Sequence, residues 1–229
     1  LNPNDVRATA ERVVIVGLSA SYGERLAAME SFLAPLDLSL EKRVEALRHI
    51  YRTGIPGGPA GFDIEIQDET LPPRQGVFDF RFSAPTVTVQ RILRDREDLA
   101  LPLARLFPPF RDQVCGQIVR RIAKENALFS LLTALPNIVP SPIQLPWAVG
   151  EFASDTAVLT ANQIRMAFFL AAASDRDVGF REQRNQIGSI VAGAWGWRSL
   201  ARELTGKIPF GGGLIPKAAI AYAGTFVVG

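Results

Sequence analysis

Asn126–Gly150 reads NALFSLLTALPNIVPSPIQLPWAVG, 25 residues with no formal charge and four prolines, Pro136, Pro140, Pro142 and Pro146. The segment is apolar enough for a bilayer. A spanning helix, however, needs about 20 consecutive apolar residues, and each proline removes an amide and restricts the residue before it. The run Leu135–Pro142 therefore reads as a tight apolar connector that opens a helical domain, not as a simple span. It also divides the chain. Residues 1–125 carry 17 basic and 17 acidic side chains, whereas residues 126–229 carry 8 and 6.

Downstream, Trp147–Ala173 resumes a helical pattern with Glu151, Asp155 and Arg165 as its charges. Its charge-free stretches, Thr156–Ile164 and Met166–Ser174, are too short to span a bilayer. Asn162, Gln163 and Arg165 sit mid-helix, where lipid would penalise them, so a buried core helix is expected. Arg181–Glu203 begins polar and then concentrates small residues at Gly188, Ala192, Gly193 and Gly196. Ser189-x3-Gly193 and Ala192-x3-Gly196 would let another backbone approach closely, and Trp195 and Trp197 flank that face. Pro209, Gly211, Gly212 and Gly213 form a stop and turn, and Pro216 lies in the first turn of a last helix, Leu214–Gly229. A C-terminal small-residue helical hairpin follows.

Upstream, Arg12–Gly17 (RVVIVG) suits a buried strand. Ser21–Leu33 and Leu40–Arg52 follow with helical spacing of apolar residues. Phe62–Gln67 and Val77–Phe82 alternate as half-exposed strands, and Leu71–Gly76 between them suggests a hairpin with a longer loop. Thr86–Arg94, the short Leu99–Phe107 and, beyond Pro108-Pro109, Phe110–Leu135 read as helices. The expected fold is a small α+β or α/β domain over residues 1–107, with a degenerate nucleotide-binding look, followed by an all-α domain over 108–229.

The turn after the first strand, Gly17-Leu-Ser-Ala-Ser-Tyr-Gly23-Glu24-Arg25, invites a phosphate reading. A phosphate loop needs G-x4-G-K-[S/T], with the lysine on phosphate and the hydroxyl on magnesium. Here five residues separate the glycines, Glu24 stands in the lysine's place and Arg25 in the hydroxyl's. The chain has four lysines, Lys42, Lys124, Lys207 and Lys217, and none is followed two residues on by Asp, so no guanine-reading pattern exists either. A strand-to-helix turn with Ser19 or Ser21 as N-cap is the simpler reading.

Asp63 and Glu65 share one face of their strand, near Asp68, Glu69 and Asp79. Paired carboxylates can do acid–base work, but the solvated face of an edge strand is the favoured reading. His49 is the single histidine and reads as a helix-boundary residue; Cys115 is the single cysteine and reads as a small core residue. Together they leave little room for zinc or for Ser-His-Asp chemistry. A net charge of +2 and no basic run beyond pairs such as Arg120-Arg121 argue against nucleic acid. No charged segment precedes an apolar run at the start, so a signal peptide is not expected. No catalytic residue, cofactor or metal is expected from these residues.

The pattern ENALFSLLTALPNIVPSP…LPWAVGEFASD, NQIRMAFFLAAASDR and QIGSIVAGAWGWRSLARELTGKIPFGGGLIPKAAIAYAGTFVVG resembles the bacterial helical family called domain of unknown function 697, over about residues 120–229. The step Gln163–Met166 and the turn Ile208–Pro216 carry it. The resemblance implies a helical, non-enzymatic protein beside a GTPase or an envelope complex, at the cytoplasmic side of a bacterial inner membrane. The alternatives are a soluble cytoplasmic scaffold or homo-oligomer subunit, or a module binding an apolar ligand or nucleotide. The bent Asn126–Gly150 run makes the hairpin, rather than the run itself, the expected membrane contact.

Overall fold

The computed structural model of the chain describes residues 2–134, 147–193 and 214–229. Contacts divide it into two compact units: Asp5–Cys115 with Ala172–Arg176, and Gly116–Ala171 with Asp177–Gly229 and the first four residues.

The first unit is α/β. Its elements are α1 (Pro3–Ala10), β1 (Val16–Ser19), α2 (Gly23–Leu33), α3 (Leu40–Arg48), β2 (Ile50–Arg52), β3 (Ile64–Asp68), β4 (Val77–Phe80), α4 (Pro85–Asp95) and α5 (Ala100–Leu106), with a 3-10 turn at Glu97–Leu99. The four strands form one parallel sheet in the order β2-β1-β3-β4. Val16 and Leu18 of β1, Ile64 and Ile66 of β3, and Phe78 and Phe80 of β4 are buried. Met29 and Leu33 of α2 and Val89, Ile92 and Leu93 of α4 are buried with them, at the i, i+3, i+4 spacing of an apolar helical stripe.

Several expectations are corrected here. The first strand starts later than Arg12–Gly17 suggests, because its ladder begins where the Val16 amide reaches the His49 carbonyl at 2.9 Å. Val14 is buried just before it, with its carbonyl held by His49 Nδ1 at 2.9 Å, while Val13 is exposed. The second helix ends at Arg48, not Arg52. His49 is its C-cap, with its amide returned to Ala46, and Ile50–Arg52 crosses into the sheet as β2. β3 is an interior strand, so Glu65 does not lie on a solvated edge.

The β3–β4 hairpin is also overturned: the two strands are parallel, Glu65 opposite Val77 and Asp68 opposite Phe80. The connection 69–76 doubles back along β3. Buried Gln67 donates to the Pro72 carbonyl at 3.0 Å and to Asp79 Oδ1 at 2.9 Å, and accepts from Arg74 Nε at 3.0 Å. Gly76, at φ +77°, supplies the left-handed step that re-enters the sheet.

The second unit is helical. It contains α6 (Pro108–Ala134) beyond Cys115 and α7 (Trp147–Ala173) up to Ala171. It also contains α8, helical over residues 184–193, and α9 (Leu214–Val228). Pro108 and Pro109 occupy the first turn of α6, where a missing amide costs nothing. The bounds of α7 are those that the sequence pattern suggests. A buried polar network links three of these helices. Asn126 of α6 donates to Thr225 Oγ1 of α9 at 2.8 Å, and Asn162 of α7 donates to Asn126 Oδ1 at 2.8 Å. Gln163 reaches the same threonine at 3.5 Å. Asn126, Gln163 and Thr225 are all buried, which fits the reading of α7 as a core helix. Among the described residues no helix is long and apolar enough to cross a membrane.

Candidate functional site

In a doubly wound parallel sheet, ligands bind outside the carboxyl ends of the strands at the point where the strand order reverses. Here that point lies between β1 and β3, since β2 is on one side of β1 and β3 on the other. The residues leaving those two strands are Ser19–Tyr22 and Asp68–Thr70.

Asp68 is the centre of the crevice and its side chain is wholly buried. Its Oδ2 accepts from Ser21 Oγ at 2.5 Å and from the Ser21 amide at 3.4 Å. Its Oδ1 accepts from Arg25 Nη1 at 2.6 Å and from the Thr70 amide at 3.0 Å. Burial pushes this carboxyl up. The bonds from Ser21, Thr70 and Arg25 more than offset that and hold it well below the usual carboxylate range. Arg25 is held from its other side by the ring of Phe82, 4.8 Å from its Cζ. A second arginine closes the neighbouring ground: Arg74 Nη2 donates to Ser19 Oγ at 3.1 Å and pairs with Glu65.

The serines are therefore not helix caps. The N-cap of α2 is Tyr22, with no side-chain cap bond, while Ser21 serves Asp68 and Ser19 serves Arg74. Gly17, the first glycine of the phosphate-loop look-alike, has a local reason to be glycine. A Cβ there would come within 2.7 Å of the Phe62 ring.

In phosphate-loop hydrolases the loop hydroxyl and an acidic residue from another strand hold magnesium between them. Arg25 stands at the hydroxyl position and Asp68 at the end of β3, and a guanidinium rather than a hydroxyl meets this carboxylate. With Glu24 in the lysine position, the crevice does not fit a magnesium–nucleotide complex. The other carboxylates named from the sequence are engaged within the fold, Glu69 by the Phe82 amide at 3.2 Å. Asp63 accepts from the Ile15 amide at 2.9 Å, Glu65 pairs with Arg74, and Asp79 accepts from Gln67. Among the described residues no group of three or more His, Cys, Asp or Glu could hold a metal ion. Cys115 lies on α6, and burial pushes its thiol up.

The hairpin residues divide by position. Gly188, Ala192 and Gly193 lie on α8, and a Cβ at Gly188 or Gly193 would meet nothing within 4 Å. Pro216 is in α9. Trp195, Gly196, Trp197, Pro209, Gly211, Gly212 and Gly213, and with them the turn of the hairpin, lie outside the described residues. Leu135–Pro142, the apolar connector, lies outside them as well. Sequence reasoning missed Ser21, Arg25 and Asp68 as one cluster. The signal available was the arginine in the loop's hydroxyl position, which called for an acidic partner.

Comparison with family models, with curated proteins and with solved structures returns no match to this chain.

Proposed function

We propose that the chain is a non-enzymatic, membrane-associated interaction protein, an accessory subunit working beside a GTPase or an envelope complex. The observation that carries the non-enzymatic half of this reading is the Arg25–Asp68 pair. At the ligand crevice of the α/β unit the one buried carboxylate is already paired with the chain's own arginine. What is left for such a unit is to be a folded platform. The membrane half rests on the charge-poor helical region, 14 charged residues in 104 against 34 in 125 before it, and on the family resemblance of residues 120–229.

The test is flotation of the full chain with phospholipid vesicles, alongside its mass in detergent-free solution. Recovery with the vesicles supports the reading. A detergent-independent oligomer of defined mass with no lipid recovery would instead select the soluble-scaffold reading. That alternative has its own support in the exposed apolar side chains of the helical unit, among them Phe180 and Val191.

A further inference from the structure

We infer that one exposed face of α6 docks on an anionic phospholipid surface, an inference that rests on the membrane-associated reading above and places lipid contact at the start of the charge-free run, where the sequence pattern alone favours the small-residue hairpin. The residues are Arg121, Lys124, Leu128 and Leu132. Their spacing of three, four and four residues puts them in one stripe of the helix. All four are exposed, Leu128 at 56% and Leu132 at 55%, while Ile118, Ile122, Ala123 and Asn126 of the same helix are buried. Two leucines more than half exposed on a helix whose other face is fully buried mark a contact surface rather than scattered exposure.

The order of residues along the stripe selects the occupant. The cations come first and the leucines follow. At 1.5 Å per residue, Leu128 and Leu132 lie about 6 and 12 Å beyond Lys124 along the helix axis. A helix that approaches the surface by this end sinks the leucines first and leaves the cations at the phosphate level. The basic end is reinforced from α7. Arg165 pairs with Glu125 at 2.8 Å, and the Cζ atoms of Arg121 and Arg165 lie 5.6 and 5.9 Å from the same Phe169 ring. Glu125 is thereby neutralised, and Arg121 and Lys124 make no ion pair among the described residues. Three cations against one carboxylate would repel a second copy of the same face and attract phosphate headgroups. Beyond Leu132 the sequence continues without charge to Gly150, so nothing in its composition opposes approach to lipid.

The experiment is co-sedimentation of the full chain with vesicles of phosphatidylcholine, either pure or containing about a third phosphatidylglycerol, over a salt series. Recovery is expected with the anionic vesicles and should fall as salt rises. The pair Arg121→Gln with Lys124→Gln should lower partition about thirty-fold, two charges each worth about 1 kcal/mol. The pair Leu128→Gln with Leu132→Gln should lower it as well. All substituted residues are exposed, so circular dichroism melts should match wild type. If the leucine pair fails to fold, the cation pair alone decides. Binding by wild type that neither pair weakens would overturn this face and leave membrane association standing. Equal, salt-indifferent recovery with neutral vesicles would overturn the anionic preference. No recovery with either vesicle would overturn the membrane reading itself. A lipid-free dimer dissociated by the leucine pair would replace the bilayer with a second copy.

Discussion

Asp68 shows how a single side chain settles the character of a site. A buried carboxylate without partners would become neutral. This one keeps its charge because Ser21, Arg25 and Thr70 all donate to it. Its folded value lies below the ordinary 3.8, so the stability it contributes is fully present above that value. It is lost as pH falls from there toward the folded value. Asp68→Asn should therefore cost about 2 kcal/mol at neutral pH and flatten the acid limb of the stability curve below about pH 4. Urea unfolding measured from pH 7 down to pH 2 checks both. An acid limb as steep in the variant as in wild type would show that some other carboxylate drives it. Gly17 is a second residue with a single cause. Gly17→Ala should destabilise by about 1–2 kcal/mol through overpacking on Phe62. The loss should be largely absent when made in a Phe62→Ala background, because the ring that the new Cβ meets is gone.

At the scale of elements, periodicity was enough where packing agrees with it. Trp147–Ala173 and the helices ending at Leu33 and Arg94-Asp95 follow their apolar spacing, with bounds matching or within two residues. The pattern failed where a polar side chain makes the decision. Nothing in LPPRQG announces that Gln67 and Arg74 will fold the loop back over β3 and make β4 parallel, since the same residues serve a hairpin turn. Three residues, Ile50–Arg52, are too few to show an alternation, so β2 merged with the helix before it. The cluster around Asp68 was legible only in part. The absence of a working phosphate loop could be read from Glu24 and Arg25, but the partner 43 residues away could not. In the helical unit the same principle yields a prediction. Asn126 holds both Thr225 and Asn162, so Asn126→Ala leaves buried Thr225 and half-buried Asn162 each short of a partner. A loss of about 2–3 kcal/mol is expected. Thr225→Val should cost less, since it opens no cavity, although the Asn126 and Gln163 amides both lose an acceptor. Chemical denaturation of the two variants side by side would reveal the ranking, and a reversed order would argue against Asn126 as the hub.

Across the molecule, polar groups are used in two different ways. The α/β unit places one wholly buried carboxylate in an ion pair, Arg25–Asp68, and adds the partly exposed pairs Arg74–Glu65 and Lys42 and Arg105 on Asp175. The helical unit uses neutral amides and a hydroxyl in its interior and keeps Arg165 and Glu125 half-exposed as a pair. The first arrangement leaves no room for a magnesium–nucleotide complex, and that has a consequence the intact chain can report. A ligand present at a hundred times its Kd adds about 2.7 kcal/mol to the folded state, which is about 5–10 °C of melting temperature for a chain of 150–250 residues. With millimolar GTP or ATP and magnesium, no rise is expected here, and chelation with EDTA should leave the melt unchanged. A rise of several degrees would mean that Arg25 leaves Asp68 to admit the cation. The charge pair would then be a gate that nucleotide opens rather than the permanent filling of the crevice. Arg25→Ala separates the two cases: a gate so mutated would bind nucleotide more tightly, whereas a permanent filling so mutated only loses stability, because Asp68 is left buried without its cation.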